Sequence, residues 1–169
     1  MSSPYDRFKY IGKKRRTKED PRFVTGRGRY VADVQIPGTL HVAIVASPHA
    51  SAKIVKIDAS AALATPGVVY VLTGDEFVAN TDSLYVGVDA PKVTRYALAK
   101  DVVRYAGEWV VAVVAESRAV AEDAAELVEI EYETTPFVID PEVSIRADAP
   151  LVHPAHGTNV LFNRKFVWG

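Results

Sequence analysis

The stretch Trp109-Val110-Val111-Ala112-Val113-Val114-Ala115 carries no charge and is dominated by β-branched valine. Valine loses side-chain freedom in a helix and packs well on a pleated surface, so these residues form a strand. Ser117 then stands where a helix N-cap belongs, and Val120, Ala124, Leu127 and Val128 fall at helical spacing, with Arg118, Glu122, Asp123 and Glu126 on the wet face. Val128-Glu129-Ile130-Glu131-Tyr132 follows as a strand that alternates outward acids with inward apolar residues. The same grammar occurs earlier. Leu40 to Ala46 reads as a buried strand, and Ala52 to Ile57 as a second, with Ile54 and Ala52 on one side. Asp58 caps a helix over Ala59 to Ala64, Pro66-Gly67 stops it, and Val68 to Leu72 is a further strand. Two strand–helix–strand units, each burying a helix face against a common sheet, make an α/β (α+β) fold with a mixed sheet.

At 169 residues the chain holds one core with an arm or tail. Residues 1–29 hold ten of its twenty Lys and Arg against three acids, so this segment is +7 and the remainder −8. A basic run of that density suits phosphates, but no aromatic stacking or base-reading pattern follows it. It reads as a polar arm on an acidic surface, not as a nucleic-acid site. Arg15-Arg16 is followed by Thr17-Lys18-Glu19-Asp20, which is polar where a twin-arginine export signal is apolar. No apolar run approaches the eighteen or so residues of a membrane span, and the chain is expected to be cytoplasmic. With no cysteine, it holds no disulfide, thiolate zinc site or cysteine-ligated iron–sulfur cluster.

Gly26-Arg27-Gly28 opens the body ahead of an extended stretch, without the spacing of a dinucleotide fingerprint, and Pro37-Gly38 makes a turn. Phe77 to Ala99 shows no period and is too long for an ordinary connection, so a functional or packing excursion is expected there. After Pro136 the chain turns irregular, and Phe166-Val167-Trp168-Gly169 reads as a strand heading into more protein.

Candidate chemistry is sparse. His153-Pro154-Ala155-His156 spaces two imidazoles three apart, yet proline removes the helix that would align them, and polar loop contacts or an interface are the plainer reading. Ser47-Pro48-His49 lacks a nucleophile elbow and reads as a strand-ending turn. His41, in an apolar strand, reads as a core or interface histidine. Glu129, Glu131 and Glu133 make a solvated strand face, and Tyr70, Trp109, Tyr132 and Trp168 are packing or interface aromatics. No nucleophile, base and oxyanion site come together.

From Glu19-Asp20-Pro21-Arg22-Phe23 through Gly26-Arg27-Gly28-Arg29-Tyr30-Val31-Ala32-Asp33, the chain resembles the start of the molybdenum-binding large subunit of the xanthine dehydrogenase, aldehyde oxidase and carbon monoxide dehydrogenase family. Pro37-Gly38-Thr39-Leu40-His41, Ser47-Pro48-His49-Ala50, Val103-Arg104-Tyr105-Ala106-Gly107-Glu108 and Val128 to Glu133 continue the resemblance along nearly the whole chain. Trp109 departs from the usual proline and Ser51 from a frequent histidine, differences of local packing.

The resemblance implies an α/β hammerhead over 26–140, a basic arm over 1–25 and an irregular extension over 141–169 that packs on a partner or on the cofactor-binding subunit. It implies a structural and substrate-channel role in hydroxylation with oxygen from water, with no catalytic, cofactor-binding or metal residue on this chain. Molybdopterin or its cytosine dinucleotide, two 2Fe–2S clusters and FAD would reside on partners: a molybdenum cofactor-binding subunit, an iron–sulfur subunit and an FAD subunit. Leu84, Tyr85 and Val86 become access-channel candidates, because the family's corresponding loop approaches the substrate funnel. The leading expectation is a separately encoded piece of a split large subunit. A free-standing binding or assembly module without redox activity, and a fragment of a conventional large subunit, are the alternatives.

Overall fold

A computed structural model describes residues 8–34, 36–84, 93–163, 165, 167 and 168. The chain divides into two compact units, Met1–Thr39 and Leu40–Gly169.

In the first unit, α1 (Asp20–Val24) starts with a proline at its second position, where the missing N–H costs nothing. The Phe23 ring stacks on Tyr30 with centroids 5.4 Å apart, and the Arg22 guanidinium lies 5.1 Å from the Phe23 ring centroid. Gly28 sits against this ring so closely that a Cβ there would lie 2.3 Å from Phe23 Cδ1. The stretch expected to be extended closes instead into a 3-10 turn, Val31–Asp33, because the Asp33 carboxylate accepts the Tyr30 N–H at 2.8 Å. Pro37-Gly38 does turn, with Gly38 at φ 80° and Thr39 N–H donating to Ile36 O at 3.1 Å.

Among its described residues the second unit contains six strands: β1 (His41–Ala46), β2 (Ala52–Asp58), β3 (Val68–Thr73), β4 (Val102–Val103), β5 (Trp109–Ala115) and β6 (Glu129–Thr134). Its helices are α2 (Ser60–Leu63), α3 (Gly74–Asn80), α4 (Arg118–Ala125) and α5 (Pro141–Ser144), with a 3-10 turn at Pro154–His156. The α/β class and both strand–helix–strand units hold, but the common sheet does not. The strands form two three-stranded antiparallel sheets, β1-β5-β3 and β4-β2-β6. Each strand–helix–strand unit therefore starts in one sheet and ends in the other: β3 of the first pairs with β5 of the second, and β2 with β6. The connection from β2 to β3, residues 59–67, falls short of the dozen or more residues usual for a crossover back alongside the preceding strand, whereas that from β5 to β6, residues 116–128, is long enough and β6 pairs with β2 all the same.

Both sheets share one core, built from Ala52, Ala62, Val71, Ala99, Val103, Val110, Val111, Val113 and Ala124. Among the described residues nothing larger than valine is fully buried, so the layers approach closely. β5 is central and buried along most of its length, whereas β1 is an edge strand with His41 and Val42 exposed, which corrects its reading as a buried strand. Ser117 caps α4 as expected, its hydroxyl accepting the Val120 N–H at 3.3 Å, but the buried face is Ala121 and Ala124. Leu127 lies beyond the helix end and is exposed, since Ala125 closes the last turn.

α2 is stopped by Pro66-Gly67 as expected, but its N-cap is Ala59 and not Asp58, which sits one residue earlier with its carboxylate accepting both the N–H and the hydroxyl of Ser60 at 3.1 and 2.6 Å. Alternation fails at two bulges. Register shifts between Ile54 and Lys56 and between Val68 and Tyr70 push Val55 and Val69 outward, to 60% and 52% exposure, and let Ile57 return to the core beside Ile54.

Candidate functional site

The site grows from the stretch expected to lack regular structure. Its first residues, from Phe77, belong instead to α3, whose N-terminus carries Asp75 and Glu76 in the first turn, where acids suit the helix dipole. Beyond α3 the chain narrows to a neck: Leu84 N–H donates to Arg95 O at 2.6 Å, and Arg95 N–H donates to the Ser83 hydroxyl at 2.9 Å. Leu84 is half exposed at this neck. Tyr85 and Val86 lie outside the described residues.

From Arg95 onward the chain is pinned. Ala99 N–H donates to Trp109 O at 2.7 Å on β5, and Asp101 O accepts Ile54 N–H at 2.9 Å from β2. Gly74 packs directly on Ala99, with no room for a Cβ between them. After β4, Arg104 enters a turn closed by Gly107 at φ 89°, whose N–H donates to Ser47 O at 2.8 Å, while the Glu108 carboxylate accepts the Arg104 backbone N–H. On the far side, Asn159 holds residues 144–159 together. Its side chain accepts from Val152 N–H at 2.9 Å and donates to Ser144 O and Pro150 O at 3.0 and 2.9 Å.

These segments enclose a cavity of about 450 Å³, lined among others by Val78, Arg95, Tyr96, Leu98, Arg104 and His153. A second, more apolar groove of about 350 Å³ shares Arg104, Tyr105 and Val152 with it and is walled by Phe137, Ile139 and Leu151. Arg104 Nη1 donates to Val102 O at 3.2 Å, but its Nε is buried with no acceptor among the described residues. Burial lowers the His153 pKa, and the positive charges of Arg104, Arg95 and His156 add to the effect.

The other candidates fall where simple packing puts them. Ser47 is buried and its hydroxyl accepts the His49 N–H at 3.1 Å, the expected strand-ending turn. The His49 ring meets Tyr132 edge-on at 4.9 Å, and burial raises the Tyr132 phenol above its ordinary pKa, with Ser47 opposing. His41 is exposed, so the core half of its reading as a core or interface histidine is corrected: it starts an edge strand whose outer side pairs with no strand among the described residues. Glu129, Glu131 and Glu133 are exposed, as a solvated face should be, and Glu133 pairs with Lys53 at 3.2 Å. Trp109 and Trp168 are exposed and Tyr70 partly so, its hydroxyl bonded to Glu76.

His153 and His156 gather no third ligand, and among the described residues no three His, Cys, Asp or Glu side chains group to hold a metal ion. With no cysteine in the chain, a thiolate zinc site or a cysteine-ligated iron–sulfur cluster would find no ligand here. No helix among the described residues is long and apolar enough to cross a membrane. Arg95, Arg104 and His153 are the residues that sequence reasoning missed as a group. The available signal was Arg104 itself, a cation set directly after the apolar pair Val102-Val103.

Residues 25–136 match the family model described as aldehyde oxidase and xanthine dehydrogenase, a/b hammerhead domain. The chain belongs to this family. It is 45% identical over 153 residues to the nicotine 6-hydroxylase large subunit of Paenarthrobacter nicotinovorans, a match covering 89% of this chain and 19% of that protein. The reconstituted CO dehydrogenase of Oligotropha carboxidovorans superimposes with a TM-score of 0.74 and 42% identity, covering 83% of this hammerhead chain and 17% of its counterpart. The Cu,Mo-CO dehydrogenase in its carbon monoxide reduced state gives 0.71 and 41%, with 83% and 17% coverage. The hammerhead chain thus spans about a fifth of the length of its oxidoreductase relatives.

Proposed function

We propose that this hammerhead domain is the structural and substrate-channel portion of a molybdenum-dependent hydroxylase, and that it is not catalytic alone. One observation carries the reading: about nine-tenths of the chain aligns, at 45% identity, with a fifth of an oxidoreductase large subunit. In this proposal a partner chain brings the molybdenum cofactor, molybdopterin or its cytosine dinucleotide. An iron–sulfur subunit with two 2Fe–2S clusters and an FAD subunit pass electrons onward in the cytoplasm. Bound molybdenum cofactor supplies the oxygen-transfer and redox chemistry. The chain's own contribution is a firm wall, formed by the pinned stretch 95–101 and the neck at Leu84, and the residues assigned to substrate access are Leu84 together with Tyr85 and Val86, which lie outside the described residues. The lack of cysteine supports placing the iron–sulfur clusters on a partner.

The test is to purify the chain from its source under native conditions and measure the mass and metal content of what it brings with it. A complex containing a larger chain and molybdenum is expected. A lone folded monomer, or a complex free of molybdenum, would overturn the reading.

A further inference from the structure

We propose that the cavity between the 95–105 segment and His153 is a binding site for a monocarboxylate with an apolar body, gripped by Arg104 and Arg95. This goes beyond the hydroxylase reading and does not depend on it.

The charge balance selects the ligand. Of the three cations lining the cavity, Lys100 is already held by Asp75 at 3.2 Å. Neither Arg95 nor Arg104 has a carboxylate within ion-pair distance among the described residues. Glu108, which also lines the cavity, spends an oxygen on the Arg104 backbone N–H and not on a guanidinium. Arg104 is the more telling of the two arginines. One of its nitrogens is fixed on Val102 O and Nε is buried with no acceptor among the described residues, while Nη2 is neither bonded nor buried and is the nitrogen left open to an acid. A guanidinium presents parallel N–H groups that match the two oxygens of a planar carboxylate. His153, in the same lining, is disfavoured as a cation first by burial and then by the charges of Arg104 and Arg95, which places both guanidinium groups near its ring.

The remaining lining sets the rest of the chemistry. Val78, Leu98, Val152 and Leu161 offer apolar surface, and Tyr96 and Tyr105 offer rings, so the body of the ligand is hydrocarbon or aromatic. Asp101 and Glu108 in the same lining repel a second negative charge, which disfavours dianions such as sulfate or phosphate. A volume of about 450 Å³ accommodates an aromatic acid, within the roughly 300–1,000 Å³ range of small-molecule pockets.

The carboxylate could arrive on a free acid or on a glutamate side chain of another protein, and two probes separate these sources. The full chain, labelled for NMR, is titrated with benzoate, with benzamide as its neutral counterpart, and with N-acetylglutamate α-amide. Expected are saturable shifts of the Arg104 Nε–Hε signal and the His153 ring on adding benzoate, none with benzamide, and at least tenfold weaker binding in Arg104→Gln. Saturation by the blocked glutamate in preference to benzoate would keep the carboxylate site and assign it to a protein-borne acid. Arg95→Gln, on an exposed side chain, repeats the comparison should Arg104→Gln fail to fold. The proposal is overturned if neither acid saturates, if benzamide matches benzoate, or if the folded arginine variants bind as the unmodified chain does.

Discussion

Gly74→Ala is a small change with a large expected cost. A Cβ on Gly74 would lie 1.9 Å from the Ala99 carbonyl oxygen, 2.6 Å from its carbon and 2.8 Å from Lys100 Cα. Comfortable carbon contacts lie at about 3.5 Å or more, so the two backbones must part by roughly 1.5 Å. All three atoms are backbone, so no side-chain rotation can absorb the movement. The Ala99 stretch is also tied on both sides, to Trp109 O through its own N–H at 2.7 Å and to Ile54 N–H through Asp101 O at 2.9 Å. Forcing a methyl into a packed site costs about 1–3 kcal/mol, and weakening one of those hydrogen bonds adds about 1 kcal/mol. The better helix propensity of alanine returns at most about 1 kcal/mol. The net loss is about 1–3 kcal/mol, or roughly 4–12 °C in Tm for a unit of this size. Thermal unfolding followed by circular dichroism measures it, with amide exchange at Ala99 and Ile54 as the local readout. Gly74→Ala melting within a degree or so of the unmodified chain, with exchange unchanged, would show that the close approach of α3 to the 95–101 segment is wrong.

Val111, fully buried on the central strand, should lose about 2–3 kcal/mol on truncation to alanine, whereas Val55→Ala at its exposed bulge should stay within about 0.5 kcal/mol; equal urea midpoints for the two would contradict the bulge. Asn159→Ala removes three hydrogen bonds that join residues 144, 150 and 152, so limited proteolysis should cut faster between 144 and 159, by about tenfold, with the core intact. His153 has a folded pKa depressed below its ordinary 6.5, chiefly by burial, so the folded state binds fewer protons than the unfolded one. Its contribution to stability is complete above that ordinary value and is lost as pH falls through it, and His153→Gln should therefore flatten the decline in urea midpoint between pH 7.5 and 5. An unchanged slope in the variant would place His153 in open solvent.

Much of the fold was legible in local patterns. The valine run of β5, the Ser117 cap and the acid-out alternation of β6 all stand where residue chemistry puts them. The pairing of strands was not legible, because two short helices leave open which sheet receives the next strand, and that is decided by contacts far apart in sequence. Bulges were equally hidden: Val55 and Val69 are apolar residues that alternation would place by count, and only the partner strand reveals the extra residue. At the candidate cavity, Leu84 was singled out from a family resemblance, while Arg95, Arg104 and His153 lie up to 58 positions apart and come together only in the folded chain. His153 was noticed for its spacing from His156, yet its neighbours in space are the two arginines.

The most direct test of the central claim takes the chain purified alone, supplies it with molybdopterin and molybdate, and measures bound molybdenum together with oxidation of nicotine, carbon monoxide and aldehydes. A supporting wall without a metal centre of its own should retain no stoichiometric molybdenum and turn over none of these. Retention of one molybdenum per chain with substrate oxidation would contradict the account.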